Sequence, residues 1–194
     1  HGYKNRNVIK KKIFEAANKA VERLSYYSSP VGYFCFKEIS RQDLNRIELN
    51  CGSVFTCEIF NERLSQSNFL IAFLLTLGKE MDEKIKKMSN DLNEPLGALF
   101  LENASWLALE LILRDARSKI IKFAKNYNIQ IENRMAPGYT YPSKINKKRV
   151  MWELEEQEVL FNLFDKKNIS IKLTDSYTMV PRMSRSGIFG LKKT

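Results

Sequence analysis

The chain has 194 residues, 44% hydrophobic and 28% charged, with a formal net charge of +10. These are globular values, not those of a disordered chain, and the length favours a single domain over residues 1–194. One histidine, His1, and three cysteines without CxxC spacing (Cys35, Cys51, Cys57) nearly exclude imidazole acid–base catalysis, a Ser–His dyad, a metal site and a disulfide framework.

Residues 8–27 predict an amphipathic helix, with Ile9, Ile13, Ala17, Ala20 and Leu24 at helical spacing and "SSP" ending it. "VGYFCFKEI" predicts an aromatic-rich strand, and "RIELNCGSVF" two short strands joined near Asn50 and Gly52. "IFNERLSQ" suits a short helix. "NFLIAFLLTLG" is a continuous apolar run between turn residues, as a central strand buried on both faces requires. "KEMDEKIKKM" follows as a helix. The longest helical pattern covers 94 to about 127, opening with Glu94 and Pro95. Its "SWLALELIL" is apolar almost all round, which predicts a central helix. "NIQIENR" then leads out as a strand. A helix is expected over 152–165, its glutamates favouring the N-terminal end. "NISIKLT", "SYTMVP" and "SGIFGL" read as closing strands. Antiparallel-looking strands mixed with helices predict an α+β fold.

Three features bear on chemistry. In "NRMAPGYTYP", residues 133–142, Pro137 stiffens the backbone and biases Ala136 to extended geometry, while Gly138 permits close approach of a ligand. Extended backbone of this kind leaves N–H and C=O groups free, as adenine recognition needs. Arg134 offers a planar fork for a carboxylate or phosphate, and Tyr139 and Tyr141 offer flat surfaces. A Pro-Gly turn with surface tyrosines is the bland alternative. Glu110, among leucines, is either paired with Arg114 on an exposed stripe or functional. "IKKK" (9–12) and "KINKKR" (144–149) are a solvated face plus a flexible basic loop, or phosphate contacts. No nucleic-acid recognition element accompanies the charge, so nucleic acid is not an expected partner. The ten-residue run at 69–78 is too short to span a bilayer and no signal peptide is evident, so no membrane is expected and the location read is cytoplasmic.

Several ordered pieces resemble the S-adenosylmethionine-binding activation domain of cobalamin-dependent methionine synthase, above all its compact stand-alone form. "RMAPGY" is similar to the RxxxGY signature, "WELEEQEVLFNLFD" follows at the expected distance, and "IKLTDSYTMVPRMSRSGIFGL" resembles the terminal block. "LLTLGKEMDEKI", "LENASWLALELI" and the leading "GYKN" are similar to further pieces of the stand-alone relatives. Met135 stands where proline is common, and Asp175 and Tyr177 replace glutamate and phenylalanine.

The resemblance implies a twisted, mainly antiparallel sheet with flanking helices and a shallow groove for S-adenosylmethionine. It implies that Arg134 holds the methionine carboxylate, that backbone around Ala136, Pro137 and Gly138 reads the adenine, that Tyr139 lines the groove, and that Glu110 lies near the ligand's polar end. The implied activity is reductive methylation of cob(II)alamin, in the service of methionine biosynthesis. Cobalt is the nucleophile, so no catalytic side chain is expected; the protein orients the methyl donor. The chain lacks a D-x-H-x-x-G cobalamin motif. Cobalamin is therefore expected on a partner, a methionine synthase subunit or corrinoid protein, with a flavodoxin-like or other reductant. Without that partner no methyltransferase activity is expected. The alternative is a non-catalytic binding or assembly subunit on a corrinoid protein, with a weak or lost S-adenosylmethionine site.

Overall fold

The computed structural model describes residues 11–193, so "GYKN" and the first positions of the helix expected from residue 8 lie outside the described residues. Helix α1 (Lys11–Tyr27) is followed by strand β1 (Val31–Gln42), then by the short strands β2 (Arg46–Leu49) and β3 (Val54–Thr56). These two are joined through Gly52, whose φ of 84° suits a residue without Cβ. After a single helical turn, α2 (Phe60–Arg63), comes β4 (Phe69–Thr76), then helices α3 (Lys79–Ser89) and α4 (Pro95–Lys125). β5 (Ile129–Met135), β6 (Thr140–Pro142) and β7 (Arg149–Met151) precede a short helix, α5 (Glu156–Phe161). The chain closes with β8 (Lys172–Leu173), β9 (Met179–Val180) and β10 (Ser184–Lys193).

Six strands form one sheet in the order β3-β2-β1-β4-β10-β5, antiparallel at every pairing. β4 lies between β1 and β10: Phe73 faces Phe34 on one side and Gly187 on the other. Alternation along the strands divides the core between two faces. Leu70, Ala72, Leu74, Met135 and Ile188 pack with Ile47, Phe55, Phe60, Trp152 and Leu160. Phe73, Leu75 and Phe189 pack instead with the helical layer of α1, α3 and α4, through Ala20, Met81, Ile85, Leu101, Leu109 and Leu113. Arg23 of α1 fastens that layer by an ion pair with Glu94 at the start of α4, 2.7 Å. The architecture is thus α+β, a mainly antiparallel sheet with flanking helices.

Three expectations need correction. α4 is not a central helix. It buries one stripe, and Leu107 and Leu111 on its outer side are 67% and 54% exposed. By length and composition it could cross a membrane, but its Leu101, Leu109 and Leu113 stripe belongs to the core beside the sheet. The helix expected over 152–165 contracts to α5. Trp152 stays outside it because its N–H donates to the Tyr139 carbonyl (3.0 Å) and its carbonyl accepts from Gly138 N–H (2.6 Å). Its ring is buried edge-on to Phe55 and Phe60. Finally, the basic stretch 144–149 is not a free loop. It turns the β6–β7 hairpin, and Glu62 accepts hydrogen bonds from Ser143 Oγ and Lys144 N–H. Those two donors also hold the Glu62 carboxyl below its usual range.

β10 can lie against β5 only because residue 187 is glycine. A Cβ there would stand 2.5 Å from the Met135 carbonyl oxygen and 2.9 Å from the Phe73 ring, at a φ of +155°. Gly187→Ala is expected to cost about 1–3 kcal/mol through overpacking, read as a lowered urea midpoint at unchanged slope.

Candidate functional site

β5 delivers Arg134 to the sheet edge, opposite Phe189 of β10, and α4 passes beside β5. Arg134 Nη1 lies 3.3 Å from both carboxylate oxygens of Glu110. A second guanidinium shares that carboxylate: Arg185 Nη2 is 3.0 Å from Glu110 Oε1. Glu110 therefore bridges two arginines and not Arg114, the partner its helical spacing suggested. Arg185 Nη1 also donates to the Tyr139 hydroxyl, and its guanidinium sits over the Trp106 ring, 4.9 Å from the centroid. The structure thus links Arg134, Glu110, Arg185, Tyr139 and Trp106 in one chain of contacts.

The loop after β5 is stiff for reasons beyond its proline. Ala136 is buried, its N–H donates to the Tyr141 hydroxyl (2.7 Å), and that hydroxyl donates to the Ala136 carbonyl (3.1 Å). Gly138 N–H and Tyr139 C=O are both spent on Trp152. Gly138 has φ 79°, and a Cβ on it would lie 3.0 Å from Leu154. The expectation of free backbone groups is therefore not met at Ala136. Among the described residues, no backbone hydrogen bond is made to the carbonyls of Pro137 and Gly138.

Five of the six expected residues fall on two depressions, and the buried Ala136 lines neither. Pro137, Gly138 and Tyr139 line a cleft of about 290 Å³ with Trp106, Arg182 and Arg185. Glu110 and Arg134 line an adjoining depression of about 490 Å³, floored by Leu107, Leu111 and Phe189. The Arg185–Glu110 pair joins them. A larger hollow of about 590 Å³ beside α5 and β8 contains none of the expected residues and shares only Tyr177 with the cleft.

Arg185 and Trp106 were not singled out in the sequence. Trp106 is one helical turn before Glu110, so an i,i+4 reading places both on one face of α4. Arg185 carried a fainter signal, a cation between two serines just before the apolar run of the closing strand. The fold, with α4 beside the sheet, brings it to Glu110.

The Tyr141 phenol is the strut of the loop, and burial pushes its pKa up. A value higher in the folded than in the unfolded state means stabilisation that is complete below the ordinary phenol value of about 10 and lost as pH rises through the folded value. Tyr141→Phe is expected to cost about 1–3 kcal/mol at neutral pH, because it leaves the buried Ala136 N–H without an acceptor. Denaturation from pH 7 into the alkaline range should show a larger loss of stability in wild type than in the variant, which keeps only the contribution of the buried Cys57 thiol, also pushed up by burial.

No protein-family model matches the chain, and no curated protein does. Among solved structures, the chain is similar to the MetH reactivation domain bound to AdoHcy, with a TM-score of 0.68 at 17% identity. The match covers 93% of this chain and 64% of that one. At this identity the likeness establishes the fold: a mainly antiparallel sheet with flanking helices, shared with a domain that binds AdoHcy.

Proposed function

We propose that this chain is an S-adenosylmethionine-binding module, acting in trans in the reductive methylation of cobalamin carried by a methionine synthase subunit or related corrinoid protein. The observation that carries the reading is the fold shared over 93% of the chain with a domain whose structure contains AdoHcy. The donor set fits the ligand's polar end. Arg134 and Arg185 already clasp a carboxylate, that of Glu110. A ligand carboxylate would take that place between the guanidinium groups, freeing Glu110 to meet the ligand's ammonium. Pro137, Gly138, Tyr139 and Trp106 supply walls for the adenosyl part. The bound cofactor supplies the methyl group; the protein's residues bind and orient it. Cobalamin, its carrier, a flavodoxin-like reductant and a cytoplasmic setting belong to this proposal. The net charge of +10 suits an acidic partner surface.

A second reading, a non-catalytic subunit on a corrinoid protein, is favoured by two contacts. Ala136 spends its backbone groups on Tyr141, and Glu110 sits on Arg134.

Calorimetry with S-adenosylmethionine tests the first reading. Wild type is expected to bind, and Arg134→Ala to bind on the order of ten- to a hundredfold more weakly, as loss of a charge-assisted contact predicts. Wild type that fails to bind transfers the case to the second reading. Under both readings, a complex with a cobalamin-carrying protein is expected at low ionic strength and is weakened by salt.

A further inference from the structure

We infer that Arg185 sorts adenosyl ligands by charge, so that the cleft holds the neutral thioether S-adenosylhomocysteine more tightly than the cationic sulfonium S-adenosylmethionine. This rests on the adenosyl-ligand reading above.

Among the described residues, the charged side chains lining the cleft are Arg182 and Arg185, and no carboxylate lines it. The acidic groups stand outside the cleft, with Glu110 on the adjoining depression. Glu102 of α4 pairs with Arg182 at 2.6 Å, and Glu110 pairs with Arg185 while also serving Arg134. Asp82 of α3 accepts from the backbone N–H groups of Arg182 and Met183. Coulomb energy falls with distance, so inside the cleft the guanidinium groups set the sign of the field, while Glu110 acts on the ligand's ammonium in the adjoining depression. One carboxylate divided between Arg134 and Arg185 leaves that trio one positive charge in excess.

Arg185 cannot easily move out of the way. Its side chain is only 21% exposed, it rests on Trp106, and it donates to Tyr139. Its Nε is buried with no acceptor among the described residues. A guanidinium stays charged even when poorly solvated, so burial does not neutralise it. The two ligands share adenosine, carboxylate and ammonium. They differ by one methyl group and one positive charge at sulfur. The field of Arg185 acts on that difference, and the partial screening by Glu110 and Glu102 limits the effect to the order of tenfold.

The experiment is calorimetry with both ligands on wild type, Arg185→Gln and Arg185→Lys, with thermal unfolding as a control for folding. Wild type is expected to prefer S-adenosylhomocysteine by about tenfold, the glutamine variant to bring the two within about threefold, and the lysine variant to keep the preference. A purely packing role would change both affinities by one factor and leave their ratio alone; that result overturns the inference. Equal binding in wild type, or tighter binding of the sulfonium, also overturns it and leaves the adenosyl-ligand reading standing. Binding of neither ligand overturns both. The wild-type ratio and the lysine variant decide the matter if the glutamine variant does not fold.

Discussion

β4 has almost no face turned to water, and the rest of the chain is arranged to make that possible. Its backbone groups are satisfied by β1 on one side and β10 on the other. Its side chains feed two separate cores: Leu70, Ala72 and Leu74 one way, Phe73 and Leu75 the other. Burying one strand in this manner requires a cover on each face. The helices α1, α3 and α4 supply one. The short strands β2 and β3, α5 and the β6–β7 hairpin supply the other. The two covers are built differently, regular helices against small pieces pinned by Trp152.

That asymmetry determines where a site can form. The helical layer brings Glu110 and Trp106 to the edge of the sheet, and the irregular layer brings Pro137, Gly138 and Tyr139. β10 runs between them and contributes Arg185. The loop needs no metal or disulfide to keep its shape, because Tyr141 and Trp152 bind its backbone groups directly. A ligand meeting this loop finds side chains and carbonyls rather than a row of open N–H donors.

Much of the fold was legible in the sequence. The apolar run of β4, the amphipathic α3 and the proline-opened α4 are local patterns, and local patterns survive in the structure. Trp152 shows where legibility ends. The glutamates after it favour a helix start, yet hydrogen bonds to Gly138 and Tyr139 keep it extended, and those partners lie more than ten positions upstream. The same holds at the site. Arg134 and Glu110 could each be named from their neighbours in the chain, but their union, and the third member Arg185, depend on the fold, with α4 beside the sheet. Ala136 is the sharpest case: its residue type and its proline neighbour suggest open backbone groups, and a tyrosine five residues later closes them.

The chain contains two tryptophans, and the fold assigns them to different tasks. Trp152 is fully buried among Phe55 and Phe60, while Trp106 is half-buried under the Arg185 guanidinium at the cleft. Their indoles therefore emit from unlike surroundings, one dry and remote from solvent quenchers, one beside a cation and within reach of whatever enters the cleft. Intrinsic fluorescence is in effect a two-channel signal, with the buried indole tracking the integrity of the core and the accessible one tracking occupancy of the cleft. A polar quencher such as acrylamide can separate the two without any added label.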